Sequence, residues 1–173
     1  MQNQGFIQVY TGNGKGKTTA ALGLALRAYG AEKRIFIGQF IKGKHYSELD
    51  AIKNNLEKIE IKQYGLDCFI VNEPEEKDVI AAQNGLKEMK EIIQSGKYDL
   101  VIMDELNIAL YYKLFEIESV IEILRTKPKH VEIVITGRYV HEKIIEIADL
   151  VTEMKEIKHY FTKGIEARLG IEM

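Results

Sequence analysis

A single cysteine, Cys68, leaves the 173-residue chain unable to close an internal disulfide, which excludes a disulfide-stapled scaffold. Only two prolines occur, Pro74 and Pro128, and no Pro-rich linker divides the sequence. Neither sign of charge dominates: 24 Lys plus Arg stand against 26 Asp plus Glu, for a net charge of -2. No global positive field therefore draws nucleic acid or an anionic membrane. The longest apolar runs, such as 100–103, fall far short of the roughly 18 residues that a spanning helix needs. No basic segment followed by an apolar core opens the chain as a secretory signal would. These absences lead us to expect a soluble protein in a reducing, cytoplasmic setting, without nucleic-acid or membrane partners. What is there, 46% hydrophobic and 29% charged residues, suits one compact domain spanning residues 1–173.

The apolar pattern alternates between two periods. Residues 6–10 form a short apolar run that ends at a Gly-rich loop, and the Ala/Leu-rich stretch 17–29 closes at Gly30, a helix stop. A second buried strand is expected at 35–40, followed by a polar loop with Lys42, Gly43, Lys44 and His45. Helical spacing marks 47–56, and Ile59, Ile61 and Gln63 alternate with charged residues as on an edge strand. Pro74 is placed in the first turn of the longest helix, whose apolar face runs from Val79 to Ile93 before Gly96 ends it. The run 100–103, bounded by Asp99 and Asp104, reads as a central parallel strand covered on both faces. A helix at 116–125, a strand at 131–135, a short helix at 142–147 and a last strand near 150–154 complete the order. Strands separated by helices imply an α/β fold with a mostly parallel central sheet between helical layers, and ligands at the carboxyl ends of its strands.

The sharpest local signal is Thr11-Gly12-Asn13-Gly14-Lys15-Gly16-Lys17-Thr18-Thr19, set between an expected strand and an expected helix. Glycines let the backbone curl so that N–H groups point at phosphate oxygens, and the helix adds its positive end. Lys17 supplies a mobile charge to the phosphates and the Thr18 hydroxyl is a Mg²⁺ ligand. In the pattern G-x-x-x-x-G-K-[ST] the first glycine falls at position 11, where this chain has Thr11; the glycine comes one residue later, at Gly12. The second half of the site is the strand that delivers Asp104 and Glu105 at its carboxyl end. Hard carboxylate oxygens suit Mg²⁺, and the sequence leaves open which of the two acids holds the metal. These motifs indicate a nucleoside triphosphate and magnesium, and a P-loop, RecA-like fold does not name the acceptor.

Further segments carry a resemblance. Tyr10 to Ala21, Gln39-Phe40-Ile41-Lys42-Gly43, Asp104-Glu105-Leu106, Thr136-Gly137-Arg138, 148–154, Lys158-His159, Gly164-Ile165 and Gly170-Ile171-Glu172 stand in order along the chain. With these the sequence resembles the corrinoid adenosyltransferases of the CobA/BtuR/CobO type over nearly its whole length, and the shifted Gly12 looks like that family's form of the loop. The resemblance implies that ATP is bound so that its ribose 5′ carbon faces Co(I) of a corrinoid such as cobalamin, with triphosphate as leaving group. Lys17, Thr18 and Glu105 are then the catalytic candidates. Gly12, Asn13, Gly14, Lys15, Gly16, Thr19 and Arg138 join Lys17 and Thr18 in binding ATP, and Thr18, Glu105 and Asp104 hold Mg²⁺. Reduction of Co(II) is aided in the family by apolar and aromatic residues that remove the axial ligand. Larger members carry a Phe-x-Trp pair near 63–69, but this chain has no tryptophan. Phe69 is the first substitute for that role, followed by Tyr64 and Phe40. Homodimerisation and a flavoprotein electron donor are also implied. His45, His130 and His141 lack metal-ligand spacing. The competing readings are an ordinary P-loop ATPase or small-molecule kinase, which would release ADP, and a nucleotide-dependent binding module.

Overall fold

The computed structural model describes residues 4–66 and 73–173. In chain order the elements are β1 (Ile7–Thr11), α1 (Lys17–Gly30), β2 (Ile35–Gln39), α2 (Ser47–Asn55), β3 (Ile59–Gln63), α3 (Glu76–Gln94) and β4 (Leu100–Asp104). There follow α4 (Leu106–Tyr111), α5 (Ile117–Arg125), β5 (Glu132–Thr136), α6 (Glu142–Ile147), β6 (Leu150–Glu153) and a 3-10 turn at Tyr160–Lys163. The six strands make one sheet in the order β3-β2-β4-β5-β1-β6. Every pairing is parallel, so the expected mostly parallel sheet is wholly parallel among the described residues.

Strand residues point alternately to opposite faces, and the core accordingly divides in two. Ile35, Ile37, Leu100, Ile102 and Val134 pack with Ala21 and Ala25 of α1 and Ile52 of α2 on one face. Phe36, Val101, Met103, Ile133 and Ile135 pack on the other, against Leu86 and Met89 of α3, Leu106 of α4, Ile123 of α5 and Ile144 of α6. The result is a three-layer α/β sandwich of the P-loop-like class. Strand β4, buried at all five positions, lies between β2 and β5 as its continuous apolar run requires. The alternating β3 takes one edge, and β6, exposed at each of its four positions, takes the other.

One local reading is corrected. Pro74 lies just before α3, whose N-cap is Glu75; Glu75 and Asp78 close a reciprocal capping box, which satisfies amides of the first turn and fixes the start there. The chain also turns helical directly after Glu105, forming α4, although 106–111 is too short to show a full period.

The register sets up the site. Gln39 of β2 stands beside Asp104 of β4, and Tyr10 of β1 beside Thr136 of β5, so Thr11, Gln39, Asp104 and Thr136 are the last residues of four neighbouring strands. Among the described residues the buried polar or charged side chains are Thr11, Lys17, Gln39, Asp104, Asn107 and Thr136. A buried polar group costs stability unless it finds partners. This chain confines that cost to the carboxyl ends of its strands and the loops beside them.

Candidate active site

The loop between β1 and α1 owes its shape to backbone that only glycine adopts readily. Gly12 has φ +93° and Gly16, the N-cap of α1, φ +113°. A Cβ on Gly12 would stand 2.5 Å from the carbonyl oxygen of Met154, so the loop and the chain leaving β6 touch backbone to backbone. That contact consumes one amide: Gly14 N–H donates to Met154 O at 2.7 Å, so it turns away from any phosphate, contrary to a loop whose amides all face inward. The first turn of α1 holds no acidic residue, which leaves its positive end uncompensated.

Above the loop lies an open pocket of about 530 Å³, lined by Gly14, Lys15, Gly16, Lys17, Thr18 and Thr19 from the loop and α1. Lys42, Tyr46, Glu105, Arg138 and His159 complete much of its wall. Of the residues expected at the nucleotide, Gly12 and Asn13 are not part of the lining; Asn13 is exposed, and Gly12 serves through its carbonyl. Lys17 curls back so that its ammonium donates to Gly12 O at 2.9 Å and Gly14 O at 2.8 Å. Burial lowers its pKa, an effect opposed by the Glu105 charge. Lys15 sits at the rim and pairs with Glu172 at 2.9 Å, so its charge is engaged by the carboxyl-terminal tail. The Ser47 hydroxyl donates to Met173 O of the same tail at 2.9 Å, and residues 170–173 form part of the pocket wall.

Beneath the pocket Asp104 is the hub of a buried network. It is 1% exposed and accepts from the Thr18 hydroxyl at 2.9 Å, the Thr136 hydroxyl at 2.6 Å, the Lys42 ammonium at 2.7 Å and the Gln39 amide at 3.3 Å. Glu105 turns the other way, into the pocket lining. Its backbone is left-handed, φ 58°, and its N–H is held by the Thr136 hydroxyl at 2.9 Å. Burial, and then the neighbouring Asp104 charge, raise its carboxyl pKa above the usual value. Ile41 at φ 61° and Tyr139 at φ 58° share the left-handed conformation. Three non-glycine residues in this sparsely populated region thus flank the pocket at the ends of β2, β4 and β5, where strain of order 1 kcal/mol or more each is held by the surrounding packing.

The donor set fits a hard divalent cation. Among the described residues no cluster of three or more His, Cys, Asp and Glu could enclose a metal by itself. A hydroxyl and carboxylates at the edge of the pocket, bridged by the Lys42 ammonium, would instead suit an ion whose shell is completed by other oxygens.

Of the expected corrinoid contacts, Phe69 lies outside the described residues. Phe40 is fully buried and packs against Tyr64 and Phe115 at ring-centroid distances of 5.5 and 5.7 Å. Tyr64 is 8% exposed and lines a small recess with Ile41, Gly65 and Leu114. The residues that sequence reasoning left unassigned are Lys42, Gln39 and Thr136. Their signal was a polar residue closing, or shortly following, an apolar strand, repeated at β2 and β5 as at β4.

Fold and site together define a three-layer α/β protein with a glycine-rich loop before α1 and a paired-acid strand end. The chain belongs to the family described as ATP:corrinoid adenosyltransferase BtuR/CobO/CobP, which matches residues 3–173. It is 36% identical over 172 residues to "Corrinoid adenosyltransferase CobA" of Salmonella typhimurium, covering 99% of this chain and 87% of that one. Identity to the corrinoid adenosyltransferase of Escherichia coli K12 is 35% over 170 residues, 98% and 86% of the two chains. To that of Pseudomonas aeruginosa it is 33% over 170 residues, 98% and 84%. Among the described residues no helix is long and apolar enough to cross a membrane.

Proposed function

We propose that this chain, acting as one catalytic domain, transfers the 5′-deoxyadenosyl group of ATP to the Co(I) of cobalamin or a related corrinoid and releases triphosphate. The observation that carries the reading is the convergence of Lys17, Thr18, Glu105 and Arg138 on one pocket in a member of this family. In the reaction the cobalt lone pair forms the Co–C bond to the ribose 5′ carbon. The bond from that carbon to the α-phosphate oxygen breaks, and its electron pair leaves with triphosphate. No proton has to be abstracted from the nucleophile, so no general base is required. The protein's task is to align cobalt and carbon and to stabilise charge that gathers on the triphosphate. Lys17 and Arg138 supply positive charge, and release of Lys17 from the Gly12 and Gly14 carbonyls makes it available to phosphate. Thr18, Glu105 and Asp104 would hold Mg²⁺, which would supply charge to neutralise phosphate oxygens. Asp104 also orients Thr18, whose hydroxyl donates to it at 2.9 Å.

Exposed apolar side chains collect on β6 and the following segment, including Val151, Ile157, Phe161 and Leu169. That surface supports a homodimer, and sedimentation at micromolar concentration tests it. A cytoplasmic location and a flavoprotein as donor of the electron that makes Co(I) complete the proposal, with Phe69 as the aromatic side chain placed against the corrinoid. The deciding experiment is an anaerobic assay with chemically reduced cobalamin, ATP and Mg²⁺ that follows the corrinoid spectrum and the phosphate product. Alkylated cobalt with stoichiometric triphosphate is expected; ADP without a Co–C bond would return the protein to the ATPases and kinases.

A further inference from the structure

One cation at the site has no place in the reaction as described. Lys42 follows β2 in a loop pinned by Ile41, a β-branched residue at φ 61° whose conformation persists only because its surroundings impose it. Its side chain is only 12% exposed. The ammonium lies 2.7 Å from Asp104 Oδ2 and 3.2 Å from Thr18 Oγ1. Those are the oxygens that frame the metal's seat: the hydroxyl that follows the phosphate-loop lysine and the carboxylate ending β4. A surface lysine has no reason to be drawn there, since stripping an ammonium of water is costly unless a charge and hydrogen bonds replace it.

We propose that Lys42 is a resident cation: its ammonium occupies the metal's seat in the nucleotide-free protein and moves onto the triphosphate when Mg²⁺ and ATP enter. The inference rests on the reading of this pocket as a metal–triphosphate site. Two cations cannot share the space between Thr18 and Asp104, because like charges at such a separation repel strongly inside a protein. The lysine has a second position within reach. It lines the pocket beside Tyr46, and its ammonium is already 5.3 Å from the centre of that ring, so rotation of its flexible stem carries the charge from the acid toward the pocket space without leaving the aromatic face. The exchange keeps the buried Asp104 neutralised at every stage, by lysine before the nucleotide binds and by the metal afterwards. It also disfavours metal binding without ATP, so that metal and nucleotide enter together.

The test compares wild type, Lys42→Met and Lys42→Arg. Mn²⁺ binding is read by electron paramagnetic resonance with and without ATP, and ATP binding in EDTA by calorimetry. Circular dichroism verifies folding; should Lys42→Met not fold, Lys42→Gln makes the same comparison while leaving Asp104 a donor. We expect Lys42→Met to bind Mn²⁺ at least about tenfold more tightly than wild type without nucleotide, since the competing charge is gone. Its ATP affinity in EDTA should be about 10- to 100-fold weaker, the worth of one charged hydrogen bond to phosphate. Lys42→Arg should resemble wild type in nucleotide-free Mn²⁺ binding. If Mn²⁺ binds with ATP but Lys42→Met leaves its nucleotide-free affinity unchanged or weaker, the resident-cation proposal is refuted while the metal site stands. If wild type binds no Mn²⁺ even with ATP, the metal site itself falls and the proposal with it.

Discussion

Replacing Asp104 by asparagine keeps the shape of the network and removes its charge. The amide oxygen can still accept from the Thr18 and Thr136 hydroxyls, which stand at 2.9 and 2.6 Å in the parent. The amide nitrogen cannot accept from Lys42, and the ammonium is left without a counterion at a position where its side chain is 12% exposed. Breaking a buried ion pair by removing one partner costs about 3–5 kcal/mol. For a chain of this size each kcal/mol lowers Tm by about 2–4 °C, so a fall of about 10 °C is expected, with a matching loss in urea denaturation. Lys42→Met in the same molecule removes the orphaned charge, and the double variant should recover about 2 kcal/mol or more relative to the sum of the single losses. The wild-type pH profile provides an independent check. Burial alone would lower the Lys42 pKa, but the Asp104 carboxylate, through charge and hydrogen bond, raises it above 10.5. A raised lysine stabilises the fold fully below its ordinary value, and this stability is lost as pH climbs through the folded value; the loss should be much smaller in Asp104→Asn. A single variant within about 1 kcal/mol of wild type, or strict additivity in the double variant, would refute the network as the support of the strand ends.

Lys17→Ala should lower kcat/KM for ATP by about 10²- to 10³-fold by removing charge from the leaving group; wild-type kinetics would show that the ammonium stays on the loop carbonyls during turnover. Glu105→Gln should raise the Mg²⁺ concentration needed for activity and yet stabilise the nucleotide-free protein at neutral pH. The sign follows from the raised carboxyl pKa: stability from the protonated form is present below 4.5 and lost as pH rises through the folded value, so the ionised group is a burden at pH 7. Parallel denaturation curves at pH 4 and 7, with a gain only at pH 7, check it. Gly12→Ala should destabilise by more than about 1 kcal/mol and raise KM for ATP, because it needs φ +93° and meets the Met154 carbonyl. Gly23→Ala, in α1 with open space around a new Cβ, should stabilise by about 0.5–1 kcal/mol in the same denaturation assay.

The local code was enough for much of this molecule. A two-residue period or a continuous apolar run marks a strand, and a 3.6-residue period marks a helix, so the alternation that makes a parallel α/β sheet could be read directly. The glycine-rich loop between β1 and α1 was equally legible, because its glycines, Lys17 and Thr18 lie within nine consecutive residues. Pairings between distant segments carry no such record. That Asp104 is a buried hub and Glu105 the acid facing the pocket follows from a left-handed turn held by Thr136, 31 residues further along. That Phe40 belongs to the core follows from its packing on Tyr64 and Phe115. The place of Lys42 depends on β2 and β4 lying side by side, with Gln39 against Asp104. Periodicity is a property of neighbours in sequence, whereas the electrostatic role of a side chain depends on which charges the folded sheet brings within a few ångströms of it.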